Sequence, residues 1–301
     1  MIRFLENLKK QLISFSLSLE TILKIGLLSK KPTIPRTEDK TIWILANGPS
    51  LKKQLAFFQD NTLTVGVVNY FADHPSYELI KPKIYFLQAP EFWLDDLLPS
   101  YINNRKILFG NISKKTTWPI NIFIPIKSKK YQKNYQPLIN HPFIKLAYYN
   151  DTPVEGLKGI NHFLFRQQLG MPRPHNILIP SIMLSIQMGF KELFLLGVDH
   201  SWLPELSVDQ HNNALLSQKH FYDDSTVNAE TMKKMGKGQR RLHEILHKFY
   251  LTFQGYFTIK EYAEQEGVVI YNCTEGSFID AFEKVELSSI LLTPIEHKTQ
   301  G

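Results

Sequence analysis

The 301-residue chain contains one cysteine, Cys273. One thiol makes neither an intrachain disulfide nor a cysteine-rich zinc cluster, so a disulfide scaffold is excluded and a reducing compartment is the simplest expectation. Long apolar runs are missing too. Residues 1–31 are apolar overall, yet Glu6, Lys9, Lys10, Gln11, Glu20 and Lys24 interrupt every window long enough to span a bilayer. That segment also lacks a small-residue cleavage site behind a compact apolar core, which argues against a secretory signal. There is no G-x-G-x-x-G fingerprint and no G-x-x-x-x-G-K-[ST] phosphate loop, so hydride transfer and P-loop hydrolysis lose their main sequence support. Acidic residues are in the minority, 28 against 35 Lys and Arg, and the formal charge of +7 favours a polyanionic partner. No RNA- or DNA-binding module accompanies that charge, so nucleic acid is not the expected partner.

What is present is ordinary globular composition, 43% hydrophobic and 21% charged, in a chain long enough for one sizeable core. Its centre is Asn176–Trp202. Ile177, Ile179, Ile182, Met183, Ile186 and Met188 recur at near-helical spacing behind Asn176, a natural N-cap, and Gly189 stops the run. Leu193–Val198 then reads as a strand buried on both faces, ending in a polar burst of Asp199, His200, Ser201 and Trp202. Ligands of open α/β sheets collect at the carboxyl ends of strands, which makes this the place to look for chemistry.

Other strands are read at Thr41–Ala46, Leu63–Val68, Lys83–Leu87, Ile107–Phe109, Ile120–Ile126 and Val268–Tyr271. Three of them end in an amide: Asn47, Asn69 and Gln88. An amide donates and accepts at once, which suits a nucleobase or sugar edge. Asn47-Gly48-Pro49-Ser50 turns the first strand into a helix at Leu51, presenting backbone N–H groups to an anion. Helices are further expected at 156–170 and from Arg240 to Lys260 or beyond, and another after Asn272-Cys273-Thr274-Glu275-Gly276-Ser277. Residues 127–137 read as a basic, aromatic-bearing loop, either a lid or a solvated connection.

The expected organisation is an N-terminal amphipathic helix and proline-containing linker over 1–40, a Rossmann-like domain over 41–290 and a tail over 291–301. The sheet is expected to be mostly parallel with helices on both faces. An irregular lid is expected at about 200–238, because that stretch has almost no periodicity. It contains Asp209, His211, His220, Tyr222, Asp223 and Asp224. The helix of residues 1–31 either lies on an anionic membrane surface or packs against the domain or a second subunit.

Three blocks, ILANGPSL (44–51), GFKELFLLGVDHSW (189–202) and IKEYAEQEGVVIYNCTEGSFIDAFE (259–283), resemble the bacterial sialyltransferases of glycosyltransferase family 42 and neighbouring lipopolysaccharide-assembly transferases. The resemblance implies a metal-independent transferase moving sialic acid, Kdo or another nonulosonate from a CMP-activated donor to a hydroxyl of a cell-surface glycan or glycolipid. It implies no cofactor, and a cytoplasmic location, peripheral on the inner face of the membrane. Asn47, Gly48, Pro49, Ser50, Asn69 and Gln88 would meet the donor, joined by Arg173, Asn176, Trp202, Thr274, Gly276 and Ser277. His220, in a His-Phe-Tyr setting, matches the family's base best, with His200 and His211 as rivals and Asp199, His200 and Tyr222 completing the catalytic set. The family has tyrosines after its Asp, where this chain has His200, Ser201 and Trp202. Two other readings stand beside it, a pterin-type diphosphokinase needing Mg²⁺ and ATP and a non-catalytic envelope protein that binds glycan. Asp199, Asp209, Asp223 and Asp224 also permit a reading in which carboxylates hold Mg²⁺ against a nucleotide diphosphate. Homo-oligomerisation is open.

Overall fold

Strands β1 (Thr41–Leu45), β2 (Val65–Val68), β3 (Ile84–Phe86), β4 (Ile120–Pro125) and β5 (Ile144–Tyr149) form the first half of a parallel sheet in the computed structural model. The structure describes residues 2–58, 62–217, 220–221, 229–232 and 238–292. The chain then returns to the other side of β1 with β6 (Glu192–Leu196), followed outward by β10 (Val269–Asn272) and β11 (Glu283–Lys284). The resulting order is β11-β10-β6-β1-β2-β3-β4-β5, and every pairing is parallel. Direction of winding reverses between β1 and β6, which is the switch point where open α/β sheets form a crevice at strand carboxyl ends.

Side-chain alternation sorts the sheet into two cores. Ile42, Ile44, Leu193 and Leu195 face one side, where they pack with α4 (Lys158–Arg166), α5 (Leu178–Met188) and α6 (Leu242–Gln265). Trp43, Leu45, Phe194 and Leu196 face the other, packing with short 3-10 turns, α2 (Ser76–Ile80) and α3 (Pro99–Lys115). All eleven residues of α5 are buried, as the continuous apolar pattern of a helix covered on every side requires.

Several expectations are corrected. Ile107–Phe109 is not a strand but lies within α3, whose buried residues Arg105, Leu108, Phe109 and Ile112 recur at i, i+3, i+4 and i+7. The helix expected from Leu51 is a 3-10 helix, Pro49–Lys53, which begins at Pro49 rather than after Ser50. Residues 127–137 belong to a 3-10 segment, Ile126–Leu138, that buries Ser128, Tyr135 and Leu138. No helix begins at Ser277; the next one is Leu287–Leu292, beyond β11. The Ser277 hydroxyl accepts from Ile279 N–H and the Asn272 amide oxygen from Thr274 N–H, so side chains satisfy the backbone there and the chain runs on to β11.

Among the described residues between Trp202 and α6 there are three short strands. Strands β7 (Leu206–Val208), β8 (Ala214–Leu216) and β9 (Glu230–Thr231) form a small antiparallel sheet. Ala214 and Leu216 pack it onto Ile245 and Phe249 of α6. At the N-terminus, α1 (Ile2–Leu28) is followed by a connection that runs along the domain, with Ile34 buried and Thr37 N–H donating to Met188 O at 3.0 Å.

Candidate functional site

At the switch point the ends of β1 and β6 are held against each other by two glycines and a carboxylate. Gly48 N–H donates to Gly197 O at 2.8 Å. A Cβ on Gly48 would stand 1.9 Å from Asp199 Oδ2 and 2.4 Å from Gly197 O, so only glycine fits this approach. Gly197 has φ +65°, and its own Cβ would meet Ala46 O at 2.7 Å. Asp199 Oδ1 accepts the Ser50 backbone N–H at 3.2 Å and Oδ2 accepts the Ser50 hydroxyl at 2.8 Å. The anion expected at the Asn-Gly-Pro-Ser turn is thus supplied at Ser50 by the chain itself. Burial raises the Asp199 carboxyl above its ordinary value, opposed by the Ser50 donors.

A crevice of about 270 Å³ opens beside this clamp. Asn47, Gly48, Pro49 and Asn69 line it from the sheet's first half, and Asn176, Asp199, His200, Ser201 and Trp202 from the second. His220 completes the rim, with Glu205 and Ser217 nearby. His220 is positioned by its neighbour: Phe221 N–H donates to Asn47 O at 3.0 Å, and the buried Phe221 ring packs on Phe71 and His74 at centroid distances of 5.3 and 4.8 Å. The Asn47 amide donates to Val68 O at 3.2 Å, which turns its Oδ1 the other way, buried and without a partner. Asn69 adopts φ +45°, and its Oδ1 receives the Gln88 backbone N–H at 3.4 Å.

The far wall is a polar triangle set in aromatic rings. Asn176 Oδ1 accepts from Leu178 and Ile179 N–H at 3.0 and 3.3 Å, capping α5, while its Nδ2 donates to Tyr256 Oη at 2.6 Å. Tyr256 Oη lies 2.6 Å from His200 Nε2. With the Asn176 amide donating to the phenol, the phenol donates to the imidazole, which fixes Nε2 as the acceptor of a neutral ring. Trp202 stands 4.2 Å from His200, centroid to centroid, and Tyr256 5.5 Å. Desolvation pushes the His200 imidazole down to about 3 and raises the Tyr256 phenol.

Five of the expected donor residues are elsewhere or play another part. Arg173 forms a two-point ion pair with Glu155 at 2.9 and 2.8 Å, in a separate cavity against α1. Gln88 is buried, with its side chain held by Tyr149, one layer behind Asn69. Thr274 Oγ1 receives Val198 N–H at 3.1 Å and Ser277 Oγ donates to Val198 O at 2.7 Å, so both brace β6 from behind. Gly276 sits in the exposed turn between them with φ +69°. His211 is exposed in the β7–β8 turn, where the Asp209 carboxylate accepts from the backbone N–H groups of His211 and Asn213. Tyr222, Asp223 and Asp224 lie outside the described residues. Among the described residues no group of three or more His, Cys, Asp or Glu side chains is placed to hold a metal. Tyr256 has no signal in the sequence, since it lies in no motif, and Phe221, the middle residue of the His-Phe-Tyr setting, carries no sign there of its anchoring role.

Comparison with protein-family models finds no match, and neither does comparison with curated proteins. Among solved structures, a glycosyltransferase from Magnetospirillum magneticum AMB-1 aligns with 85% of this chain at 10% identity and a TM-score of 0.45. This chain spans only 35% of that protein. The sialyltransferase CstII from Campylobacter jejuni, solved with cytidine-5'-monophosphate, aligns over 83% of this chain and 86% of its own, at 15% identity and TM-score 0.42. The α-2,3-sialyltransferase Cst-I of the same organism gives 16% identity over 84% and 83%, with TM-score 0.34. At these values none of the three speaks to substrate or activity.

Proposed function

We propose that the crevice binds a CMP-activated nonulosonate, sialic acid or Kdo among them, and transfers the sugar with inversion to a hydroxyl of a cell-surface glycan or glycolipid. The observation that carries this reading is the placement of His220 on the rim shared by Asn47, Asn69 and Asp199, fixed there by the Phe221–Asn47 backbone bond. Asn47 lines the crevice beside Asn69, and amides there can both donate to and accept from a ribose or nucleobase edge. Trp202 and Pro49 supply flat apolar surface for a sugar or base.

In the proposed reaction the acceptor hydroxyl loses its proton to the His220 imidazole as its oxygen bonds to the anomeric carbon. The bond from that carbon to the phosphate oxygen breaks, and CMP leaves with the electron pair. General base catalysis of this kind contributes about 10²–10⁴-fold. His200 is an unsuitable base because its Nε2 is taken by Tyr256 and its proton affinity is depressed. Asp199 holds Ser50 with both oxygens, which fits a positioning role better than metal ligation. The test is CMP release from CMP-sialic acid and CMP-Kdo in EDTA, with wild type and His220→Gln. Turnover in wild type and a drop of about 10²-fold or more in the variant are expected. Full turnover in the variant would contradict the base assignment.

A further inference from the structure

Helix α1 is turned so that its hydroxyl face meets the domain and its apolar face meets solvent. Ser18 Oγ accepts Leu157 N–H at 2.8 Å, and Thr21 Oγ1 donates to Glu155 O at 2.8 Å while accepting Glu155 N–H at 3.1 Å. Gly156, at φ +125°, lets the helix in: a Cβ there would stand 2.2 Å from Ser18 Oγ. These contacts fix the rotation of the helix. On the outer side ten large apolar side chains are 42–83% exposed. Leu5, Leu8, Leu12, Phe15, Leu19 and Ile22 repeat at alternating steps of three and four residues, and Ile13, Leu23 and Leu27 widen the band. At about 100° per residue the band covers roughly half the helix circumference.

We propose that this face lies on an anionic phospholipid bilayer. A two-helix seam needs only the narrow stripe of three-and-four spacing, whereas a half-cylinder matches a plane. Charge points the same way. Residues 1–31 hold six Lys or Arg (Arg3, Lys9, Lys10, Lys24, Lys30, Lys31) against Glu6 and Glu20, so the segment attracts an anionic surface and repels a second copy of itself. The helix runs about 40 Å at 1.5 Å per residue. No helix of the described residues is long and apolar enough to cross a membrane, so α1 would lie along the surface. A second apolar row, Leu246, Tyr250 and Phe257 of α6, is also exposed. Gln254 of α6 lines both the cavity beside this row and the cavity under the Ser14 and Leu17 side of α1. This proposal is independent of the reaction assigned to the crevice.

The full chain is sedimented with phosphatidylcholine vesicles with and without phosphatidylglycerol. Binding about tenfold stronger with the anionic lipid, weakened by high salt, is expected. Leu12→Glu/Leu19→Glu is expected to lose that binding about tenfold with an unchanged melting temperature, both positions being solvent-exposed. As a probe that leaves the face apolar, Leu12→Cys carrying an environment-sensitive dye is expected to shift to the blue on anionic vesicles, the only other thiol, Cys273, being buried. Absence of vesicle binding, an unshifted dye, or a folded glutamate variant that binds as wild type overturns the proposal. So does a dimer in light scattering that the glutamate variant dissociates, which would assign the face to a second copy.

Discussion

Ser50 gives both its backbone N–H and its hydroxyl to the two oxygens of Asp199, a residue 149 positions away. This clamp ties the turn after β1 to the end of β6 and so defines the crevice floor. Asp199→Ala leaves two half-buried donors without an acceptor and is expected to lower stability by about 1–3 kcal/mol. Ser50→Ala removes one hydrogen bond and is expected to lower it by about 1 kcal/mol. Denaturant unfolding checks both. The two losses should be far from additive in the double variant, since they remove one interaction.

Gly48→Ala should be among the most damaging single changes in the chain. Its Cβ meets the Gly197 carbonyl oxygen at 2.4 Å, and that oxygen belongs to backbone that already receives Gly48 N–H. A stability loss of about 2–3 kcal/mol is expected, from overpacking in a place where backbone has to move. A melting temperature equal to wild type would show that the strand ends are not as close as described.

His200 in the crevice wall and His175 in the cavity against α1 give stability a pH dependence of definite sign. Desolvation lowers His200 to about 3 and His175 to about 4, against 6.5 in an unfolded chain. Folded-state affinity for the proton is therefore the weaker one. The stability these neutral rings contribute is fully present above pH of about 6.5 and is lost as pH falls toward about 3–4, with a limiting slope of about 1.4 kcal/mol per pH unit per group. His200→Gln is expected to flatten the slope of stability between pH values of about 6.5 and 4, measured by denaturant unfolding. An unchanged slope would mean that the ring is as easily protonated in the fold as outside it.

Phe221 is the anchor of the insert, buried against Phe71 and His74. Phe221→Ala is expected to reduce transfer as His220→Gln does, because the base loses its seat. Nucleotide binding should change little, since Asn47 keeps its bond to Val68 O and Asn69 its contact with Gln88. A variant with full transfer would show that the ring does not seat His220 and that the backbone bond to Asn47 suffices.

Much of this arrangement is legible in the chain. The buried runs ending at Asn47, Asn69 and Asp199 mark the strands whose tips meet, because a strand covered on both faces leaves a continuous apolar signature. Ile107–Phe109 misleads for the complementary reason: three adjacent apolar residues fit a strand or a helix, and only the wider spacing from Arg105 to Ile112 decides. The Ser50–Asp199 clamp has no local signature, being made by tertiary approach alone. Thr274 and Ser277, which the resemblance implies meet the donor, show how a hydroxyl at a strand end can serve neighbouring backbone instead of a ligand. Here the backbone of Val198 takes both. Arg173 follows the same logic, its charge answered by Glu155 rather than by a phosphate.

Thermal unfolding of the full chain with CMP, UMP, GMP and AMP, each with EDTA and with Mg²⁺, tests the central claim most directly. A ligand at about 100 times its dissociation constant stabilises the native state by about 2.7 kcal/mol, roughly 4 °C for a chain of this size. The account predicts such a shift for CMP in EDTA and little for the others, with the CMP shift reduced in Asn47→Ala. A shift confined to purine nucleotides with Mg²⁺, or none for CMP, would contradict it.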